Sequence, residues 1–562
     1  MPHFITPEFC DVPQNPMKYL LLSLLSAVLL SISWPTYGIP FFIFVALVPL
    51  LMMEHDISHF SKIKNKARAV FGLSFLSFLI WNIVTTGWLY GAKNPDGSHS
   101  LMAVVIPVLL NSLFYSIVFQ LYHLYKKAQG TYFGLVFFVA IWMVFEKLHM
   151  SWELTWPWLN LGNAFADYPR IVQWYDTLGA TGGTFWILII NVYAFYTLRI
   201  WEAGRKQKSL IINSAVLIAF TFLPMLISLV KYENFNPKPL GTVNVLMLQP
   251  DLDPYNEKYS KDSLTILNDL LTLAEENSKG QIDYYIGPET SIPGYGSISE
   301  SGFEQSLLLN NVKNFLTKHP KSVFATGISS HRFYAAGEKP SKTAYQTSQG
   351  VFVDSYNSAV QIIPNQKVEV YHKGKLVPGV ESFPYINVLK PLLGDAMLNL
   401  GGTTASLGSD AERKAFSNPY NAGKLAPIIC YESIYGEFVT EYVKKGANFL
   451  AIMTNDSWWG HTQGHQQLNA YARLRAIETR RDIARAANSG ISAHITARGD
   501  VEADTFYGDK TALFAKINLY DQVTFYTRAG DLLSRLSLFF FGFLVFYTLI
   551  KKYQNRKKTV KK

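Results

Sequence analysis

The chain has 562 residues, of which 49% belong to the hydrophobic set and only 16% are charged, with 38 Phe, 32 Tyr and 12 Trp. An average soluble protein carries about 25% charged residues, so this balance argues against a disordered chain and against a purely soluble enzyme of this size. The formal net charge of +10 does not point to nucleic acid, because the Lys-rich segments sit beside apolar runs and none is interleaved with base-stacking aromatics.

The apolar runs come first along the chain. Residues 19–53 hold no charge, and the turn Trp34-Pro35-Thr36-Tyr37-Gly38 divides them into two predicted spans. Uncharged stretches at 69–92, 101–125, 178–198 and 211–230 each reach the ~20 residues that a hydrocarbon core requires. Residues 132–145 and 536–550 are shorter. The first is expected to borrow from Glu146-Lys147-Leu148, and Arg535 is expected to snorkel at the end of the second. A second span follows the first after one tight turn, so no cleavable signal peptide is expected.

Charge then orients eight spans. Lys62, Lys64, Lys66 and Arg68, then Lys126 and Lys127, then Arg199, Arg205, Lys206 and Lys208, and finally the basic tail 551–562 all fall on one side. The alternate connections 34–38 and 92–100 hold a single Lys. The positive-inside rule makes the basic side cytoplasmic. The hydrophilic stretch from about 232 to 530 is then extracytoplasmic, and Cys10 and Cys430 lie on opposite sides and cannot pair. The expected domains are a bundle of seven spans (1–231), an extracytoplasmic catalytic domain (232–531), and a final span with a basic cytoplasmic tail (532–562). The outer connection 147–177, rich in Trp152, Trp156 and Trp158, reads as an interfacial aromatic belt. The sharper alternative is a re-entrant segment that shapes a lipid site.

The outer domain mixes strands and helices and reads as α/β. Strands are expected at 242–248, 283–286, 322–327, 350–359, 368–372, 426–430, 449–454 and 491–496. Helices are expected at 260–276, near 303–318, at 433–445 and, Arg-rich, at 466–487.

Three residues stand out. Glu289 follows a strand in Ile286-Gly287-Pro288-Glu289, Lys373 lies in Tyr371-His372-Lys373-Gly374-Lys375-Leu376-Val377-Pro378, and Cys430 lies in Ile428-Ile429-Cys430-Tyr431-Glu432. A thiol at a strand-to-helix turn is placed for nucleophilic attack. A nearby ammonium favours its thiolate, and a carboxylate can take and return the proton. Taken singly, each has a bland reading as a buried small side chain or a solvated charge.

Taken in order, Pro-Glu, Tyr-x-Lys-x-x-Leu-Val-Pro and Cys-Tyr-Glu resemble the nitrilase, or carbon–nitrogen hydrolase, superfamily. With eight spans around such a domain, the chain resembles the bacterial apolipoprotein N-acyltransferase family over nearly its whole length. Tyr356-Asn357-Ser358, Thr454-Asn455-Asp456-Ser457-Trp458-Trp459-Gly460, Asn488-Ser489-Gly490-Ile491 and Tyr526-Thr527-Arg528-Ala529-Gly530-Asp531 add to the match. The resemblance implies a nitrilase-like αββα sandwich beside the transmembrane bundle. It implies Glu289 as general base, Lys373 as electrostatic stabiliser and Cys430 as nucleophile. It gives Glu381, Tyr431 and Glu432 supporting places, with the Tyr431 backbone N–H a candidate oxyanion donor. Tyr-x-Lys spacing selects Lys373 over Lys375. Gly379-Val380 departs from the Phe-Gly that family members often carry beside the further Glu.

The implied reaction moves a phospholipid acyl chain to a Cys thioester and then to the α-amine of a diacylglyceryl lipoprotein. It implies an inner-membrane protein with a periplasmic catalytic domain, acting as a monomer with no cofactor, metal or nucleic-acid partner. A membrane-tethered amidase using water as the final nucleophile is the alternative. Residues 383–408, apolar and ending in glycines, read either as a membrane-dipping lid or as a packed loop. Tyr259, Trp458 and Trp459 are possible site walls, and His461 with His465 lacks the companion ligands of a metal site.

Overall fold

The computed structural model describes residues 16–94, 97–204, 207–258, 260–293, 297–386, 388 and 406–560. Helices α1 (Pro16–Ile32), α2 (Val48–His59), α3 (Lys66–Thr86), α4 (Leu101–Gln129), α5 (Thr131–His149), α6 (Tyr175–Glu202) and α7 (Gln207–Glu233) form a bundle. Among the described residues seven apolar segments are long enough to cross a membrane, the last running from Leu532 to Gln554. The first helix, α1, has 17 residues and is shorter than these. The runs at 132–145 and 536–550 extend to 19 and 23 residues, because the helices carry on through their charged flanks.

Two features explain how this bundle tolerates polar groups. A 3-10 turn at Pro40–Phe44 precedes α2, and its backbone is satisfied by Asn191 of α6. Asn191 Nδ2 donates to the Ile43 carbonyl at 2.8 Å, and its Oδ1 accepts from Leu47 N at 2.8 Å. Lipid could supply neither bond. The helices are also not free of charge, as the uncharged runs suggest. Glu54 of α2 is fully buried and pairs with His123 at 2.8 Å and Lys126 at 2.5 Å, both on α4. Charges deep in a bundle persist when they are paired in this way.

The α/β part begins with β1 (Gly241–Gln249). It continues through α8 (Ser263–Asn277), β2 (Tyr284–Ile286), β3 (Ile298–Ser299), α9 (Glu300–Phe303), α10 (Leu307–Lys318), β4 (Val323–Phe333), β5 (Tyr345–Gln346), β6 (Phe352–Ile362) and β7 (Glu369–His372). After residues 383–408 come β8 (Phe416–Ser417), β9 (Lys424–Ile429), α11 (Gly436–Lys444), β10 (Phe449–Thr454), α12 (Gln463–Thr479), β11 (Ile483–Ala487), β12 (Ala493–Ile495), β13 (Val501–Asp504) and β14 (Thr511–Leu519). The short α13 (Phe525–Ala529) leads into α14 (Leu532–Val560).

One sheet runs β14-β1-β2-β4-β6-β5, with β3 on β4 and β7 on β6; the other runs β13-β12-β11-β10-β9-β8. The alternation of β1 shows the layering. Val243, Val245 and Met247 share a core with Leu425, Ala426 and Leu450 of the second sheet. Leu246 and Leu248 pack instead with Leu267 and Leu270 of α8 and Val312 of α10. Period-two side chains thus serve two cores, and the result is an αββα sandwich. On the far side α12 lies against the second sheet and against α6 of the bundle.

One expectation is corrected. The Arg-rich helix at 466–487 ends at Thr479, where Arg480 caps it with φ +52°, and 483–487 is a strand. Parallel pairing of Ile483–Ala487 with β10 overrides the helical propensity of Ala-Arg-Ala-Ala. The strand buries Arg485 because Asp456, itself fully buried, pairs with it at 2.8 Å. The connection 147–177 is packed in part: Trp152 and Trp156 are half-buried. It folds into 3-10 turns at Pro157–Leu159, Leu161–Phe165 and Pro169–Ile171, and Trp158 is buried between bundle and sandwich. Glu146 at the end of α5 anchors it, accepting from Leu161 N at 2.9 Å and Thr184 Oγ1 at 2.7 Å.

Candidate active site

Glu289, Lys373 and Cys430 each follow the end of a strand: β2, β7 and β9. The turn bearing Glu289 presses on β4, where Gly327 N donates to the Pro288 carbonyl at 3.0 Å. A Cβ at Gly327 would lie 2.3 Å from Thr290 N and 2.7 Å from Glu289 Cα, so only glycine permits this approach. Lys373 is held by its own N–H, which donates to the Asn357 carbonyl of β6 at 2.8 Å. Cys430 adopts φ +47°, a left-handed conformation costly for a side-chain-bearing residue, at the sharp step from β9 into a 3-10 turn.

Glu432 keeps that step in place. One carboxylate oxygen accepts from Tyr371 OH and Gly374 N, both at 2.6 Å, and the other from Ile429 N at 2.8 Å and Tyr442 OH at 2.9 Å. It therefore ties the Lys373 loop to the Cys430 turn. Burial raises the Glu432 carboxyl above its ordinary value, against the pull of those donors.

The charged centre is compact. Lys373 Nζ lies 2.9 Å from Glu289 Oε1 and 2.9 Å from Glu381 Oε1. Asn357 Nδ2 donates to the same two oxygens, at 2.7 and 2.8 Å, and Asn455 N donates to Glu289 Oε2 at 3.1 Å. Glu381 is held by a turn in which Val377 N donates to its Oε2 at 2.9 Å. Gly379, at φ +80°, makes that turn, so the departure from Phe-Gly leaves Glu381 aimed at Lys373. Lys375 is elsewhere: its Nζ donates to the Met150 carbonyl at 3.0 Å and lies 5.0 Å from the Tyr435 ring centre.

The electrostatics follow from burial and pairing. Burial pushes the Glu289 carboxyl up, but Lys373, Asn357 and Lys258 hold it net below its ordinary value. Burial pushes the Lys373 ammonium down, and Glu289, Glu381 and Cys430 more than reverse this. Burial, then Glu289, pushes the Cys430 thiol up, with Lys373 opposing. At rest the centre is a thiol beside a carboxylate–ammonium pair, not a preformed thiolate. The sulfur must lose its proton as it attacks, and a base with a lone pair and a cation to receive negative charge are both at hand.

The bundle reaches this site. Tyr431 OH donates to the Thr155 carbonyl at 3.0 Å, and Thr155 Oγ1 and Tyr435 OH share a hydrogen bond of 2.6 Å. Trp459 packs edge-on to Trp88 at 5.1 Å and to Trp158 at 6.4 Å, forming an aromatic wall. Trp458 instead faces Tyr255 at 5.5 Å. His461 and His465 stack with Tyr507, and among the described residues no group suited to a metal ion occurs. Tyr259, Cys10 and residues 387 and 389–405 lie outside the described residues. The described start of the segment 383–408 is fastened to the connection, since Tyr385 N donates to Glu153. Sequence reasoning passed over Asn357 and Asn455 except as parts of quoted motifs, and it gave Lys258 and Thr155 no place. Neither of the latter carries a local signal for this site, since the bonds to Thr290 and from Tyr431 that bring them to it span 32 and 276 residues.

Comparison with known proteins adds the following. The family model for the apolipoprotein N-acyltransferase N-terminal domain matches residues 26–193, and that for carbon-nitrogen hydrolase matches 248–522. An apolipoprotein N-acyltransferase of Chlorobaculum tepidum is 29% identical over 549 residues, covering 95% of this chain and 97% of that protein. One of Geobacter metallireducens is 24% identical, covering 93% and 94%, and one of Borreliella burgdorferi is 26% identical, covering 87% of each. With both models in this order and alignments that run almost end to end, the chain belongs to the apolipoprotein N-acyltransferase family, a membrane-embedded branch of the carbon–nitrogen hydrolases.

Proposed function

We propose that this chain transfers an acyl chain from a phospholipid, through a thioester on Cys430, to the α-amine of a lipoprotein's N-terminal diacylglyceryl cysteine. The observation that carries the reading is the buried Glu289–Lys373 pair acting on the Cys430 sulfur, on a turn backed by a segment of the membrane bundle.

In the first step Cys430 Sγ attacks the sn-1 ester carbonyl as its proton passes to Glu289. Lys373 Nζ and the Tyr431 N–H receive the oxyanion charge. The intermediate collapses, Glu289 returns the proton to the departing oxygen, and a lysophospholipid leaves. In the second step the acceptor amine attacks the thioester and gives its proton to Glu289. Cys430 leaves as thiolate and is reprotonated, and the amide is released. A thioester splits a difficult ester-to-amide exchange into two easier attacks, and lipid anchoring of both substrates confines them to the site. Glu381 is a second carboxylate on Lys373 beside Glu289, and Glu432 holds the Cys430 turn.

The division into a bundle (1–231), a catalytic domain (232–531) and a closing span with a basic tail (532–562) belongs to the same proposal. So do eight spans, an inner-membrane location, a periplasmic catalytic domain and a monomeric state. The Lys/Arg asymmetry supports the orientation.

The test is incubation of the purified protein in vesicles with phospholipid labelled in its sn-1 chain, with and without a diacylglyceryl-cysteine peptide. Label in an amide on the peptide is expected. Release of free labelled fatty acid at the same rate in both samples would point to a hydrolase and reject the proposal.

A further inference from the structure

A second lysine lies within reach of the same centre. Lys258 ends a loop that leaves β1 and is pinned to the core: Asp251 N donates to the Asn488 carbonyl at 2.9 Å, Leu252 N to Asn488 Oδ1 at 3.1 Å, and Lys258 N to the Asp253 carbonyl at 3.0 Å. The residue is 2% exposed. Its Nζ donates to Thr290 Oγ1, on the residue after Glu289, and stands 5.7 Å from the centre of the Trp458 ring. Thr290 itself has φ +46°, so the ammonium braces a strained turn that carries Glu289. The titratable groups that act on Lys258 include Glu289, Cys430 and Lys373. Asp456, which acts on the same sulfur, is already paired with Arg485 at 2.8 Å.

We infer that Lys258 is a second cation of the centre, a positioning residue that braces the Glu289 turn and balances the negative charge that passes from Glu289 to the Cys430 sulfur and onward to the acyl oxygen. The inference rests on the proposed acyl transfer. Burying an ammonium is costly unless opposite charge compensates it. Here the compensation is a count: Glu289 and Glu381 against Lys373 and Lys258, with the thiol neutral, sums to zero. Moving the thiol proton to Glu289 conserves that sum. Without Lys258 the centre would carry a net negative charge before an anion had to form inside it. Burial pushes the Lys258 ammonium down to about 8, with Glu289 and Cys430 pulling it up and Lys373 adding to the fall, so it remains mostly charged at neutral pH.

The experiment uses the full-length protein in nanodiscs. Iodoacetamide alkylation of the Cys430 peptide is followed by mass spectrometry from pH 6 to 10, beside the rate of thioester formation from phospholipid. Lys258→Met and Lys258→Gln should raise the apparent thiol pKa by about one unit, which slows alkylation at neutral pH about tenfold. Lys258→Arg should stay nearer the parent. Lys258→Gln can still donate to Thr290, so it separates loss of charge from loss of the brace and is the variant least prone to misfold. A Lys258→Gln profile that overlays the parent overturns the inference. Lys373→Met is run alongside. If it slows alkylation and Lys258→Gln does not, only this inference fails. If neither changes it, the proposed triad fails as well.

Discussion

Replacing Lys373 by Met keeps an unbranched side chain one atom shorter and removes the ammonium, both its charge and its hydrogen bonds to Glu289 and Glu381. In the folded protein the ammonium is 1% exposed and sits 2.9 Å from each of two carboxylate oxygens, which share a further donor in Asn357. Without it, Glu289 and Glu381 face one another across a single amide. Removing one partner from a buried pair costs about 3–5 kcal/mol, because the remaining charge is left uncompensated. One of the two carboxyls then takes up a proton, and Glu289 is disabled as a base whenever it is the one that carries it. The lost oxyanion contact lowers the rate of acyl transfer by a further ~10²–10³. The expected result is a lower unfolding temperature and thioester formation reduced by at least about a hundredfold. Lys373→Arg should not restore activity, since a planar guanidinium does not fit a site built around an ammonium between two oxygens. Lys375→Met should retain most activity, because Lys375 caps the Met150 carbonyl and packs on Tyr435 instead. The assays are thermal unfolding and intact-mass detection of the Cys430 adduct. A Lys373→Met protein within tenfold of the parent, or a Lys375→Met protein without activity, would refute this reasoning.

Glu432→Gln puts an amide NH2 where two N–H or O–H donors now converge, so it should cost about 1–3 kcal/mol per unsatisfied group and slow acylation without altering lipid binding, measurable by unfolding and by a vesicle-binding assay. The Glu289 carboxyl is held below its ordinary 4.5, so its contribution to stability is present above about pH 4.5 and is lost as pH falls through the lowered value. The stability difference between the parent and Glu289→Gln should therefore shrink in acid, and denaturation curves from pH 7 to 3 showing a widening gap would contradict this. Glu146→Ala should loosen the 3-10 segment that carries Thr155 and Trp158, lowering acylation while Cys430 remains intact; proteolysis between α5 and α6 reports the loosening. A reporter active only outside the cytoplasm should work when fused at Asn421 and fail at Lys562, and the reverse at either position would reject the orientation.

The placing of the candidate groups at strand ends could be read from the sequence, while their roles came only with the resemblance of the ordered motifs to a known family. Each of Pro288-Glu289, His372-Lys373 and Cys430-Tyr431 joins a β-run to turn chemistry, and that boundary survives folding. Long apolar runs were equally plain, and α5 runs on through Glu146 as expected, while the last helix takes in Arg535, which pairs with Glu437. Local propensity failed where tertiary pairing outranked it. The strand Ile483–Ala487 looks helical until β10 and β12 flank it. The strands Val501–Asp504 and Thr511–Leu519 went unread, since β14 has exposed positions along one face and gains its place only by pairing with β1 across more than 200 residues. Lys258 and Thr155 belong to the same class, as nothing near either in the chain marks the turn it touches, that of Glu289 for Lys258 and that of Cys430 for Thr155.

The central claim is that Cys430 carries the acyl chain between two lipid substrates. The most direct measurement is a single-turnover chase on the full-length protein in vesicles. Phospholipid is added first, and the mass of the Cys430 peptide is followed before and after addition of a diacylglyceryl-cysteine peptide. The account predicts a gain of one acyl chain on Cys430, stable in buffer, discharged only when the acceptor amine arrives, and absent in Cys430→Ala. An acceptor acylated by the Cys430→Ala protein, or an adduct that water discharges as fast as the acceptor does, would contradict it.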